Sequence, residues 1–345
     1  MRELRQILGA FETLVSKARP AALATVIAVR GSAYRRPGAR MLVAADGRTW
    51  GGVSGGCLER DVSRRARNVI ATQIPIICMY DTSDELDEIG DEAELIERGQ
   101  APGVTLGCRG VIDILIQRIS LQRPGPMPLI RRCICGRETV VNVTVVRASQ
   151  GSELQPGDPY DMEIEEWPAR PELRECDGAE LFVETLRPPQ SLVVFGGGSD
   201  VAPVVELAHV LGWHVTVAKS RPASESPVAG VSLEPGSAVV LMTHDVVRDQ
   251  VILRELAGRP LKYLGILGPR SRTDELLARI PPEEVRAELF YPVGLDIGAD
   301  QPELIALAIV GEIQGVLSGR TGGSLRDRSG PIYPPAEAST CEPRQ

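Results

Sequence analysis

The stretch from Ser191 to Ala218, "SLVVFGGGSDVAPVVELAHVLGWHVTVA", restricts the fold more than any other part of this chain. An apolar run of strand length ends in three glycines. A segment with apolar residues at helical spacing follows, Gly212 stops it, and a second strand-length run begins. That order is the repeating unit of parallel sheets, because parallel neighbours are joined by a covering crossover and not by a tight turn. "SAVVLM" and "YLGIL" repeat the apolar runs further on. Residues 191–319 are therefore expected to form a Rossmann-like doubly wound parallel sheet. Val201, Val204, Val205, Ala208 and Leu211 would be the inner face of its first helix. Ser271 with Asp274, and Asp300 with Glu303, have capping-box spacing, and the second pair introduces the apolar run Leu304 to Leu317.

The first part reads as a second α/β domain, in keeping with a length of 345 residues, beyond the size at which a single core usually stops growing. "MRELRQILGAFETLVSKA" places Leu4, Ile7, Leu8, Phe11, Leu14 and Val15 on one helical face, unlike a secretion signal. "ALATVIAVRGS" predicts a buried strand, and "ARMLVAADGRTWGG" a hairpin turning at Asp46 and Gly47. A helix is expected from Leu58 to Ala71, then the strands "PIICMY" and "VIDILIQ", parted by an acidic stretch from Asp81 to Glu97. This domain is expected to span residues 1–119. Residues 120–190 read as a connecting segment holding the strands "TVVNVTVVRAS" and "ELFVETL" around a polar, turn-rich middle. Residues 320–345 lack periodicity and read as a disordered tail.

A net charge of -8 argues against a nucleic-acid binder. The longest apolar run, Ala21 to Val29, is too short to span a bilayer, so no membrane attachment is expected. Seven scattered cysteines, an odd number, point to free thiols in a reducing cytoplasm. Cys133 and Cys135 lack the spacing of a zinc site.

Two places carry candidate chemistry. In the glycine turn of the parallel sheet, Gly196 and Gly198 match the first two positions of a dinucleotide fingerprint, while Val201 stands at the third, where Gly or Ala packs the helix close. The next strand ends in Lys219, Ser220 and Arg221, which suit a phosphate, and lacks the acidic residue that would hold a ribose diol. His244 with Asp245, and Gly268 with Arg270, fall at the ends of later strands. The residues leave two readings: a site for a phosphorylated ligand, NADP or a pterin phosphate, or a scaffold whose ligand site has decayed. His244 is either a functional group or a loop-fixing one.

The other place is "GGVSGGCLERDV", Gly51 to Val62. Ser54, Gly55 and Gly56 let the backbone curl, and Cys57 follows near a helix N-terminus, whose dipole favours a thiolate. Arg35, Arg36 and Arg40 precede it; Arg60, Arg64, Arg65 and Arg67 follow. Facing one pocket, they would hold a phosphate. Cys108, in "TLGCRG", is a second cysteine beside glycine. Either cysteine can equally be a small apolar residue in a tight turn.

In order along the chain, "GSAYRRPGARMLVAADGRTWGGVSGGCLERDV", "LGCRG", "FVETLRPP", "VVFGGGSDVAPVVELAHVLGWHVTV", "MTHD" and "PVGLDIGA" resemble the XdhC/CoxI family of molybdenum-hydroxylase accessory proteins. The resemblance implies a chaperone that binds the molybdenum cofactor (molybdopterin), supports its sulfuration with a cysteine desulfurase, and delivers it to a recipient xanthine dehydrogenase-like molybdenum hydroxylase. It implies that the family's two cysteines are Cys57, as a possible molybdenum contact, and Cys108. It also implies a homodimer. Ser199, Val201, Lys219, Ser220, Tyr34 and Arg109 depart from the family's pattern. The rival expectation is an NADP-dependent oxidoreductase using His244 in the C-terminal crevice; a third is a structural subunit without a cofactor.

Overall fold

The computed structural model describes residues 1–81, 110–149, 151–219, 225–280, 288–329 and 332. They form two compact units, which part between Pro188 and Pro189.

In the first unit, helix α1 (Arg2–Ser16) precedes strand β1 (Ala21–Gly31). The hairpin β2 (Arg40–Ala44) and β3 (Thr49–Gly51) follows, turning through Gly47 at φ 88°. Helix α2 (Glu59–Thr72), β4 (Ile76–Asp81) and β5 (Gly110–Ile119) complete the layer. The antiparallel sheet runs β3-β2-β1-β5-β4. Strand β1 is central, so both its faces are covered. Ala22, Ala24 and Val26 pack with Val62, Ala66 and Val69 of α2. Ala21 and Leu23 pack with Ile7, Phe11 and Leu14 of α1. Alternate residues of one apolar run thus serve two helix layers.

Residues 120–188 pack inside this same unit. Helix α3 (Met127–Cys135) buries Met127, Ile130 and Cys133 beside α1. Strands β6 (Val140–Arg147), β7 (Glu172–Cys176) and β8 (Ala179–Leu186) make a second antiparallel sheet, ordered β6-β8-β7. Two of these elements lie outside the sequence expectation. Helix α3 has only nine residues, too few for a periodic pattern. Strand β7 is half-buried along its length, and joins β8 through Asp177 and Gly178, both at positive φ, 50° and 73°. That is the pair of conformations a two-residue hairpin turn demands.

The second unit is the expected parallel sheet. Strands β9 (Ser191–Gly196), β10 (His214–Ala218), β11 (Ala238–Met242), β12 (Tyr263–Ile266) and the short β13 (Leu289–Phe290) lie in the order β10-β9-β11-β12-β13. Helices α4 (Val201–Val210) and α7 (Pro302–Leu317) cover Leu192 and Val194 on one face. Helices α5 (Val246–Leu256) and α6 (Arg270–Leu277) cover Val193 and Phe195 on the other. Leu211 is not part of the inner face: it follows α4 and is 43% exposed.

Neither expected capping box forms. Helix α6 begins at Arg270 after Pro269, which puts Ser271 inside the helix, and α7 begins with Pro302 at its first position, after Gln301. Neither start carries a side-chain cap. Among the described helices, α5 carries a side-chain cap: Asp245 accepts from Val247 N at 3.0 Å and Arg248 N at 3.1 Å. Asp245→Ala should cost about 1 kcal/mol. Urea denaturation checks this, with Asp245→Asn expected to stay close to the parent.

Candidate functional site

The glycine turn of the first unit is built around Ser54 and Glu59. The Ser54 hydroxyl accepts from Gly56 N at 3.2 Å and Leu58 N at 3.0 Å, and donates to Glu59 Oε2. Glu59 Oε1 in turn accepts from Ser54 N at 2.8 Å and Val53 N at 3.2 Å. A hydroxyl has one proton and two lone pairs, so all of Ser54's capacity is used inside the turn. Ser54 is thus a support for the curl and is not available to a ligand. Burial works to raise the Glu59 carboxyl, but the hydrogen bonds from the Ser54 side chain and from backbone N–H groups outweigh it and hold the group below its ordinary value.

A depressed folded pKa contributes stability above the unfolded carboxylate value, and that contribution is lost as pH falls through the folded value. The parent should therefore lose stability on acidification below about pH 4.5. Glu59→Gln should be weaker by about 1–2 kcal/mol at neutral pH and show a flatter acid limb. Melting curves between neutrality and acid test this; superimposable acid limbs for parent and variant would remove Glu59 from the role.

Held this way, the turn presents Gly55, Gly56 and Cys57 to solvent. Gly56 sits at φ 120°, open to glycine alone, and a Cβ there would meet nothing within 4 Å. Cys57 is a free, exposed thiol just before Leu58, the N-cap of α2. The N–H groups of Gly55 and Cys57 find no acceptor among the described residues. Tyr34 lies over Gly55, with ring atoms 3.4 Å from where a Cβ would be. Cys108 lies outside the described residues; Gly110, shortly after it, pairs with Gly31 across β1 and β5.

The arginines that the sequence gathers around Cys57 separate in space. Arg40 faces inward on β2, 2% exposed, bonded to Gly38 O at 3.0 Å and ion-paired with Glu184 of β8. Asn142 Nδ2 also donates to Glu184 Oε1 at 2.8 Å. Arg40 thus neutralises a buried carboxylate and does not reach a phosphate. Arg35 pairs with Glu3 of α1. Arg64 and Arg65 pair with Asp61 at 2.6 and 2.7 Å, and Tyr80 adds its hydroxyl to the same carboxylate at 2.8 Å. Arg36, Arg60 and Arg67 are exposed.

Glu59 and Glu184 are the residues that sequence reading misses. Glu59 follows Ser54 by five residues, outside the capping-box spacing, and reaches backwards. Glu184 had a usable signal: it is a charge that follows an apolar run, Leu181 to Val183, within a strand.

At the carboxyl edge of the parallel sheet, the strand order reverses between β9 and β11, the point where open sheets take ligands. His244, held at φ 56°, crosses that point and bonds through Nε2 to Asp200 Oδ2 at 3.0 Å. This bond fixes the loop, and the His244 side chain stays 60% exposed. Asp200 puts a carboxylate at the N-terminus of α4, where an incoming pyrophosphate would be repelled. A Cβ on Gly196 would lie 2.6 Å from Met242 O, and one on Gly198 2.5 Å from Asp200 Oδ1. Gly196 is therefore required by the backbone of the neighbouring strand, whereas at Gly198 the near atom is the end of the Asp200 side chain. Val201 is 5% exposed and fills the space between α4 and the sheet.

Of the phosphate-suited cluster, only Lys219 is among the described residues. Lys219 is exposed, with its carbonyl accepting from Arg248 at 3.4 Å, and Arg270 lies over the Tyr291 ring at 5.3 Å. Ser220 and Arg221 lie outside the described residues.

Fold and site define a class: a two-unit α/β protein that exposes a cysteine on a glycine turn in one unit and carries a Rossmann sheet in the other. The XdhC and CoxI family pattern matches residues 14–81, and the XdhC Rossmann domain pattern matches residues 192–313. A Bacillus subtilis relative, described as a probable subunit of xanthine dehydrogenase, is 30% identical over 89% of this chain and 97% of its own length. The chain belongs to the XdhC/CoxI family. The Escherichia coli molybdenum cofactor insertion chaperone PaoD is 26% identical over 89% of this chain and 86% of its own length. A solved Bacillus halodurans structure, described as a xanthine dehydrogenase, superimposes with a TM-score of 0.70 at 30% identity, covering 92% of this chain and 98% of that one. Among the described residues, no helix is long and apolar enough to cross a membrane.

Proposed function

We propose that this protein is an accessory factor that binds molybdenum cofactor and inserts it into a xanthine dehydrogenase-like molybdenum hydroxylase. The observation that carries the proposal is the exposed Cys57 thiol on a turn whose shape is held by the Ser54 and Glu59 side chains. Family membership and the naming of PaoD as a cofactor insertion chaperone support it.

The cargo is anionic and carries sulfur and oxygen around its metal, and the turn suits it. Gly56 leaves the backbone uncovered, with nothing within 4 Å of where a Cβ would stand, so a bulky group can approach closely. The N–H groups of Gly55 and Cys57 are free to donate to an anion. Cys57 offers a soft sulfur ligand. Arg60, three residues after Cys57, and Arg36 are exposed, and they are assigned the phosphate role that the buried Arg40 cannot fill. Ser54 and Glu59 keep the thiol in place. Cys108 is proposed as a second thiol at the same site, with sulfuration of the cargo by a cysteine desulfurase before delivery. A homodimer is the proposed working form.

An accessory factor needs binding and release, not hydride transfer. The C-terminal unit, with Asp200 set against an incoming phosphate, favours no NADP chemistry. The test is purification from a molybdenum-replete host, followed by assays of bound molybdenum, pterin and nucleotide and by activation of a recipient apo-hydroxylase. Molybdenum with pterin, and activation, are expected. Bound nucleotide with substrate turnover and no pterin would overturn the proposal.

A further inference from the structure

The parallel sheet of the second unit ends on an open edge. In the order β10-β9-β11-β12-β13, strand β10 has a neighbour on one side only. The N–H of His214 donates to Gln190 O at 2.8 Å, and the register sets His214 beside Ser191 and Ala218 beside Phe195. Main-chain groups of a strand alternate in direction. His214, Thr216 and Ala218 therefore bond to β9, while Val215 and Val217 turn their N–H and C=O groups the other way. No described residue bonds to these outward groups.

Such an edge is a template for another strand, and sheets commonly guard theirs with shortness, charge, proline or a bulge. Strands β3 and β13 have three and two residues. Strand β7 carries Glu172, Arg174 and Glu175, and β6 has a register shift before Arg147. Strand β4 ends in Asp81 and runs on into residues outside the described ones. The five residues of β10 include no Asp, Glu, Lys, Arg or Pro, and its pairing with β9 has no shift. Val215 to Ala218 are half-buried, and Val210 and Leu211, just before the strand in the chain, are 56% and 43% exposed.

The outward groups are spaced to meet a second copy of the same strand. In an antiparallel ladder, hydrogen-bonded residues that face each other exchange both N–H and C=O. Setting Val215 opposite the copy's Val217, and Val217 opposite the copy's Val215, uses every outward group of both strands. A two-fold axis then passes between the two Thr216 residues. Sliding this register by one bonded pair makes Val217 face Trp213, or Val215 face Lys219, beyond the ends of the strand. The facing pairs are valine with valine, threonine with threonine and His214 with Ala218, so β-branched residues meet and like charges do not. Val215 and Val217 lie on the face packed by α4 and α7, and the axis keeps that face continuous between the copies.

We infer that β10 is the surface on which two copies of this chain pair, antiparallel about Thr216, joining their five-stranded sheets into one. The inference rests on the homodimer proposed above and gives it a place; it is independent of the role of Cys57. A pairing of this length is short, so dissociation at about micromolar concentration is expected.

Analytical ultracentrifugation of the full chain between about 0.1 and 100 μM tests this, and the parent should pass from monomer to dimer across that range. Thr216→Lys and Thr216→Glu each set like charges opposite one another at the axis and should weaken self-association about tenfold or more. An equimolar mixture of the two should dimerise again, a recovery that misfolded variants cannot give. If the charged variants do not fold, Thr216→Cys decides, because facing positions of an antiparallel pair lie within disulfide reach. Mild oxidation should then link two chains well above the parent's level on a non-reducing gel, and linking at the parent's level overturns the inference. A Thr216→Lys variant that associates like a dimeric parent, or a mixture of folded variants that stays apart, overturns the surface and leaves the homodimer standing. A parent that is monomeric at about 100 μM overturns both.

Discussion

Cys57→Ser is expected to fold and melt like the parent, yet to lose most bound molybdenum cofactor and most activation of a recipient apo-hydroxylase. The exposure of the thiol makes the first half of this expectation firm: an exposed side chain outside any cap or ion pair changes stability by less than about 0.5 kcal/mol when replaced by a close isostere. The second half follows from softness. Serine keeps the size of the group and its place beside Gly56 but exchanges a soft sulfur donor for a hard oxygen. Melting temperature, bound molybdenum and activation have to be read on the same preparations. A folded Cys57→Ser protein with unchanged cofactor content would return the cysteine to an incidental surface residue.

The largest stability effect is expected at the opposite kind of residue. Arg40 and Glu184 have side chains 1% and 2% exposed, and their pair ties β2 of one sheet to β8 of the other. Arg40→Met leaves Glu184 as a buried charge with only Asn142 beside it, and should destabilise the first unit by about 3–5 kcal/mol. The double variant Arg40→Met with Glu184→Leu should recover most of that loss, since replacing both members removes the uncompensated charge. Urea unfolding of the parent, both single variants and the double variant checks it. If the double variant is as weak as Arg40→Met, the ion pair is not the reason. The same measurement guards the functional work, because lost cofactor binding in an Arg40 variant reports unfolding and not a missing ligand contact.

These two residues show what the sequence disclosed and what it withheld. The fold was largely legible where a pattern repeats: α1 through its helical face, β1 through an apolar run buried on both sides, and the second unit through strand–helix alternation. Legibility failed where the structure relies on single contacts. Helix α3 is too short to show a period, and β7 pairs as a polar strand whose evidence was the Asp177–Gly178 turn. At the candidate site, the glycines and Cys57 stood out because their residue types are unusual together. Seven nearby arginines looked alike in sequence, and only the ion pairs to Glu3, Asp61 and Glu184 sort them. Glu59 escaped because it braces residues that precede it.

The close approach of Gly196 to Met242 O also changes what a motif search can claim. A side chain at 196 would collide with the backbone of the neighbouring strand whether or not any nucleotide were present. The glycine is thus held in place by the masonry of the sheet, and would outlast the departure of a ligand. The exposed positions 199 and 219 are under no such compulsion, and it is there that a change of cargo would be written. A fingerprint glycine of this sort is a record of how two strands meet, and its survival in a chain dates the fold, not the use to which the crevice is put.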